Sequence, residues 1–385
     1  MYELKLFNPS FDTELVDLIV DLDQLRRKKL GGSTHPAIFF QLKNIFHTLE
    51  SIGSARIEGN HTTIAEFIET KIKSKNDTGM VKDEKIREIQ NGEKALEYID
   101  RQIGELGGQI TASFLSEIHK IVVDGLTPHP DGEGSKKPGS YRNVNVIIGG
   151  SNVVTAEFPL VPNLMNDLIT FIQNPDAEKY DLLKTAISHH RFTIIHPFDN
   201  GNGRTVRLLT YSMLVKQGFN VNVGRILNPT AIFCSDRENY YKMLGLADKG
   251  TEEGLREWSE YVLKGLKTEI EKVDKLLNYS YLSKNILEVA VAHALERKLI
   301  TDTEAHILKI AIEKQVIQQS DIKHIFPGKD ASQVSRVIKK LLTENIITTE
   351  RESKRKYILN FQNNYLLRGI VKALDNEGFL PASLK

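Results

Sequence analysis

Apolar residues return every three or four positions along most of this 385-residue chain, and that spacing admits little except helices. In FDTELVDLIVDLDQLRRKKL they fall at Leu15, Leu18, Ile19, Leu22 and Leu25. PAIFFQLKNIFHTLESIGSARIEGN repeats the pattern and stops at Gly59-Asn60, a pair suited to a helix C-terminus. DEKIREIQNGEKALEYIDRQI predicts another helix, and TASFLSEIHKIVVDGL one more, capped by Thr111 and closed by Gly125. The helices then give way to TPHPDGEGSKKPGSYRN, a loop rich in Pro, Gly and Ser. VNVIIGGSNVVTAEF follows with two β-branched runs around Gly149-Gly150-Ser151-Asn152, a hairpin signal. Helices resume in VPNLMNDLITFIQN, YDLLKTAISHHRFTII and RTVRLLTYSMLVKQG, and continue through residues 230–280.

The last third has a different rhythm. DTEAHILKIAIEKQ, QQSDIKHIF and DASQVSRVIKKLLTENI are three helices with short connections, and ITTERESKRKYILNF is a two-stranded ribbon with a charged turn. That order predicts a winged helix-turn-helix domain. The expected fold class is therefore mainly α: a helical bundle with a short β-hairpin flap, plus the C-terminal winged domain. The expected divisions are 1–100, an N-terminal helical region; 101–280, a core; and 281–385, the winged domain and tail. Residues 330–356 are locally basic: Arg336, Lys339, Lys340, Arg351, Lys354, Arg355 and Lys356 outnumber Asp330, Glu344, Glu350 and Glu352. Ser332, Gln333 and Ser335 add polar contacts on the third helix. DNA binding through 330–356 is one reading, with phosphate contacts from the wing and base contacts from the helix. A protein-docking or dimerisation surface is the other.

Composition narrows the function. Lys and Arg total 51 against 50 Asp and Glu, so any binding to nucleic acid or an acidic membrane is local. The single cysteine, Cys234, excludes an internal disulfide framework and a Cys-based zinc site, and fits a reducing compartment. The start, MYELKLFNPSFDTEL, lacks the basic and apolar regions of a signal peptide. No segment approaches the roughly 18 apolar residues of a membrane span. The expectation is a cytoplasmic protein without a membrane partner.

IIHPFDNGNGRTVR, residues 194–207, concentrates the chemistry. A helix is expected from Arg204, directly after Gly201-Asn202-Gly203. Its N-terminus offers backbone N–H groups and a partial positive charge, and the glycines let an anion approach. Arg204 and Arg207 are three apart, on one face, and can fork onto a di- or triphosphate. His196 can accept a proton near neutral pH. Each piece alone also fits a polar turn; the combination H-P-F-x-x-G-N-G-R-x-x-R is far harder to obtain by accident.

That string resembles the motif of Fic domain proteins, H-P-F-x-[D/E]-G-N-G-R-x-x-R, matched at His196, Pro197, Phe198, Gly201, Asn202, Gly203, Arg204 and Arg207. PGSYRNVNVIIGG resembles the segment entering the family's flap, and Tyr240-Tyr241 a tyrosine pair bordering the nucleotide base. The resemblance covers roughly residues 40–275 and implies a Fic-type helical core. It implies transfer of AMP from ATP to a hydroxyl side chain of a target protein, with pyrophosphate released. His196 would deprotonate the hydroxyl. Asn202 with the Gly201 and Gly203 N–H groups would hold the α-phosphate. Arg204 would take the β-phosphate and Arg207 the γ-phosphate. The flap around Val146–Val154 would hold the target by strand addition. Gly203 stands where a phosphoryl-transferring relative has Lys, which favours nucleotidyl transfer.

The chain departs from the pattern at Asn200, where the family has an acidic ligand for Mg²⁺. Three readings stay open: Asn200 ligates the ion through its carbonyl or a water, Asp199 substitutes, or metal binding is impaired. SARIEGN resembles the family's inhibitory motif, [S/T]-x-x-x-E-[G/N], matched by Ser54, Glu58 and Gly59. It implies that Glu58 pairs with Arg207 and leaves ATP misaligned. Other readings also remain: a DNA-binding regulator whose weakened core senses nucleotide, or a transferase using another donor, since Tyr240 and Tyr241 can stack on any base or fill core. Asp248 lies near where relatives carry an Asn that reads the base. A homodimer is a further expectation.

Overall fold

The computed structural model describes residues 1–27, 33–76, 83–148, 154–219, 228–350 and 353–380. Its helices are α1 (Glu14–Arg27), α2 (Pro36–Ile57), α3 (Ile64–Asn76), α4 (Glu84–Ile99), α5 (Ala112–Val123), α6 (Val161–Gln173), α7 (Asp181–Ile195), α8 (Asn202–Lys216), α9 (Thr230–Ser235), α10 (Arg237–Ala247), α11 (Glu252–Leu277), α12 (Tyr279–Leu282), α13 (Glu288–Glu296), α14 (Asp302–Lys314), α15 (Gln319–Ile322), α16 (Ala331–Thr343) and α17 (Asn364–Asn376). β1 (Ile347–Glu350) and β2 (Ser353–Leu359) form the antiparallel ribbon expected from the sequence, with Ile347 opposite Leu359 and Thr349 opposite Tyr357. The tip of the expected flap hairpin, 149–152, lies outside the described residues. The flanking residues 144–148 and 154–157 form no ladder, although Thr155 Oγ1 donates to the Val146 carbonyl.

The core is built around two helices that carry motif residues. α2 has Pro36 at its first turn and His35 accepting the Ala37 N–H as cap. It packs on α4 and α9 and reaches α8. Its face toward α8 is polar at helical spacing: His47 meets Tyr211 at 3.3 Å, and Ser54 meets Arg207 at 2.9 Å. α8 is buried along nearly its whole length, between α7, α5 and α4. α5 keeps its expected cap, the Phe114 N–H donating to Thr111 Oγ1 at 3.1 Å, and Gly125 beyond it has φ +64°.

The C-terminal ribbon sits against the other end of α2. Gln41 on α2 holds the ribbon with both ends of its amide: Nε2 donates to the Leu359 carbonyl at 2.8 Å, and Oε1 accepts the Phe361 N–H at 2.7 Å. After α14, Ile317 pairs with Tyr357 through two backbone hydrogen bonds of 2.9 Å, adding a rung to the ribbon. Among the described residues no helix is long and apolar enough to cross a membrane.

Candidate active site

α7 ends because Pro197 cannot continue it. His196 takes the C-cap in the left-handed region, φ +51°, which turns its side chain out of the helix into the loop before α8. Its Nδ1 lies 3.3 Å from the Thr193 carbonyl. A carbonyl only accepts, so Nδ1 carries the proton and Nε2 keeps its lone pair. Burial pushes the imidazole down to about 4; the nearby Arg142 charge adds to this, against the Thr193 bond. At neutral pH His196 is thus a neutral ring with an acceptor nitrogen.

The loop that follows is folded by its own side chains. Phe198 is fully buried and stacks flat on His119, centroids 3.8 Å apart. Gly201 is left-handed at φ +72°. α8 starts at Asn202, two residues earlier than the sequence suggests, because Gly201 supplies the turn and Asn202 and Gly203 already have room inside the first turn. Asn202 spends its amide on the loop: Oδ1 accepts the Phe198 N–H at 2.8 Å and Nδ2 donates to the Phe198 carbonyl at 2.9 Å. Arg204 and Arg207 remain on one face of α8.

Arg207 is 2% exposed, and three bonds from it reach the end of α2. Nε donates to Ser54 Oγ at 2.9 Å, and Nη2 donates to the Ser54 carbonyl at 3.0 Å and to Glu58 Oε1 at 2.6 Å. Burial alone would raise the Glu58 carboxyl, but the Arg207 and Arg204 guanidiniums outweigh it and hold it below the usual carboxylate range. Glu58 Oε1 also lies 2.2 Å from where a Cβ on residue 203 would stand, so its close approach depends on Gly203. The carboxylate sits at the N-terminus of α8, where an anion is favoured. Gly59, φ +100°, lets the chain leave α2 there.

Arg204 is also engaged. Its Nη1 pairs with Glu88 Oε1 on α4 at 2.9 Å. Its Nη2 donates to the Glu133 carbonyl at 2.6 Å and to Glu133 Oε2 at 3.1 Å. Burial pushes Glu88 up, with Arg204 acting against this.

Neither expected metal ligand has a spare anionic oxygen facing the arginines. Asn200 Oδ1 accepts the Gly201 N–H at 2.7 Å, and Nδ2 faces the Gly132 and Gly134 carbonyls at 3.4 and 3.3 Å. Asp199 accepts Ser135 Oγ–H, the Lys136 N–H at 3.0 Å and the Asn200 N–H at 3.0 Å. Magnesium takes hard, usually anionic oxygen ligands. An amide already bonded through its oxygen, beside a carboxylate turned into another loop, does not fit the ion at this position.

The tyrosine pair divides. Tyr240 is buried, its hydroxyl 2.9 Å from His189 Nε2, within a cluster of Phe233 and Trp258. Tyr241 is 44% exposed, with Arg237 over its ring, so it alone of the two offers a face for stacking. Asp248 pairs with His190 at 3.0 Å. In the tail, Ser332, Gln333, Ser335, Arg336, Lys339 and Lys340 lie exposed on α16, Lys340 paired with Glu304 at 2.9 Å.

Four residues of the site were not singled out from the sequence. His119 accepts the Gly139 N–H on Nδ1 (2.8 Å) and lies 3.0 Å from the Asn200 carbonyl through Nε2, joining two loops. Arg142 donates to the carbonyls of His196, Val144, Ala156 and Ile195. Glu88 and Glu133 hold Arg204. Arg142 leaves a trace in the sequence, as the one arginine within PGSYRNVNVIIGG; the others need the fold.

Residues 109–214 match the model of the Fic/DOC family. The chain is 27% identical over 275 residues to "Protein adenylyltransferase Fic" of Aedes aegypti, covering 65% of this chain and 49% of that one. It is 29% identical over 275 residues to the protein of the same name from Culex quinquefasciatus, with the same coverage. The chain thus spans about half the length of the curated relatives it matches. Among solved structures it is similar to a Fic family protein from Desulfovibrio desulfuricans G20, with TM-score 0.54 and 18% identity, covering 92% of this chain and 98% of that one. A Fic domain containing signaling protein from Bacteroides thetaiotaomicron gives 0.52 at 19% identity, covering 69% of this chain and 98% of that one. These likenesses show the fold.

Proposed function

We propose that this chain is a protein adenylyltransferase that restrains itself, moving AMP from ATP to a Ser, Thr or Tyr hydroxyl of a target protein. The observation that carries the reading is the seat of Glu58: a carboxylate stands against Gly203 at the start of α8, 2.6 Å from Arg207. A site that holds one anion with a helix N-terminus and a buried guanidinium is built for anions, and a triphosphate would compete for it. His196 Nε2 takes the hydroxyl proton as the oxygen attacks the α-phosphorus. The bond to the bridging oxygen breaks, and pyrophosphate leaves. Arg204 and Arg207 would draw charge from the β- and γ-phosphates. Tyr241 is the exposed ring for the base.

The test uses Glu58→Gly protein with ATP labelled at the α- or the γ-phosphate, in the presence of lysate proteins. Label from the α position is expected on protein, none from γ, and none from either when His196→Ala is added. Transfer of γ-label would instead mean phosphoryl transfer. The pH profile is a separate check. Only neutral His196 accepts the proton, so its pKa of about 4 leaves the rate flat across neutral pH and lowers it as pH falls toward 4. A limb near the ordinary histidine value of about 6.5 would place the base outside this buried setting.

A further inference from the structure

Residues 132–136 lie across the phosphate loop as a strap, and the side chains that fasten it are Asp199 and Asn200. Asn200 Nδ2 faces the carbonyls of Gly132 and Gly134, on either side of Glu133. Asp199 takes Ser135 Oγ and the Lys136 N–H. We propose that Glu133, placed by Asn200, decides whether Arg204 is open to the β-phosphate of a nucleotide, so that Asn200 is a positioning residue of the nucleotide site. The inference rests on the nucleotide-binding reading above.

Three observations carry it. The first is donor chemistry. Asn200 presents an N–H₂ group to two carbonyl oxygens; a carboxylate has no hydrogen to give and would repel both. An amide is what this position requires. The second is fit. A Cβ on Gly132 would lie 2.6 Å from the Thr127 carbonyl oxygen, and one on Gly134 2.2 Å from that of Leu126, so the strap reaches Arg204 only with glycine on both sides of Glu133. The third is charge. Glu58, Glu88 and Glu133 face Arg204 and Arg207, three carboxylates to two guanidiniums. Removing Glu58 only balances the site. Glu88 is 3% exposed at its side chain and is held by Asn60 Nδ2 at 2.8 Å, so it stays. Glu133 is 45% exposed and rides on the strap, so it is the group an incoming β-phosphate can displace.

The consequence is a difference between nucleotides: ATP and ADP must displace Glu133 from Arg204, and AMP, lacking a β-phosphate, need not. Affinities are measured calorimetrically in magnesium-free buffer on Glu58→Gly/His196→Ala protein, which binds without turnover. Adding Glu133→Gln is expected to tighten ADP and ATP by about three- to fivefold, the scale of a half-exposed ion pair, and to leave AMP where it was. Asn200→Asp, which unfastens the strap, is expected to move ADP relative to AMP in the same direction. Weaker ADP binding in Glu133→Gln, or an equal shift for AMP, overturns the inference and leaves the nucleotide site standing. If none of the three nucleotides binds any of these proteins, the adenylyltransferase reading falls and takes the inference with it.

Discussion

Glu58→Gly is expected to transfer label from ATP about 10²-fold faster than the parent chain, the scale at which an ångström of misplacement slows a reaction. The substitution removes the carboxylate from its seat against Gly203 and leaves the Ser54 contacts of Arg207 in place. It also leaves a guanidinium only 2% exposed without its anionic partner, which is costly until another anion arrives. The variant should therefore melt below the parent without nucleotide and gain more from ATP than the parent does. Mild acid is not an equivalent treatment. Glu58 is held below its ordinary value, so its contribution to stability is present above the unfolded carboxyl value of about 4.5. It is lost only as pH falls through the lower folded value. Equal transfer rates for the two proteins in a timed assay would remove the brake from the account.

Arg142→Ala is expected to move the rate by a similar factor in the opposite direction, and for a reason remote from phosphate. Its guanidinium reaches the carbonyls of His196 and Val144 at 2.7 Å, of Ile195 at 3.2 Å and of Ala156, while its own N–H donates to Pro197 at 2.9 Å. It ties the end of α7 to both arms of the expected flap. Alanine leaves several buried carbonyls unsatisfied, at about 1–3 kcal/mol for each that water cannot reach. We expect a loss of about 3 kcal/mol in urea unfolding. In the Glu58→Gly background, transfer should fall by about 10²-fold as His196 loses its anchor. Arg142→Lys should recover little, because an ammonium cannot span carbonyls laid out for a planar fork. A variant that unfolds at the same urea concentration and transfers at the same rate would deny Arg142 this positioning role.

What could be read from the sequence follows the range of the forces involved. α5 and the ribbon were legible because their signals are local: Thr111 caps three residues on, and β-branched Ile347 and Ile358 flank a charged turn. The joining of Glu58 to Arg207, 149 positions apart, came only through the family resemblance. α3 is absent from the sequence reading; its buried Ile64, Phe67 and Ile68 crowd its start, and a charged run follows. Glu88 and Glu133, 116 and 71 positions from Arg204, carry no local mark that would pair them with it. Asn200 shows the limit most plainly. Its residue type raised the right question about magnesium, but the carbonyls of Gly132 and Gly134 that answer it come from a loop more than sixty residues earlier.

α2 is 22 residues long, a rod of about 33 Å. Gln41 near its start grips the ribbon, and Glu58 just past its end reaches Arg207. A stiff rod fastened at two points transmits displacement and does not absorb it. Glu58 can therefore leave Arg207 in two mechanically distinct ways. Rotation of its side chain leaves Arg207 unpaired but strains nothing at the far end of the helix. Withdrawal of the helix has to strain the two bonds that Gln41 makes at the far end.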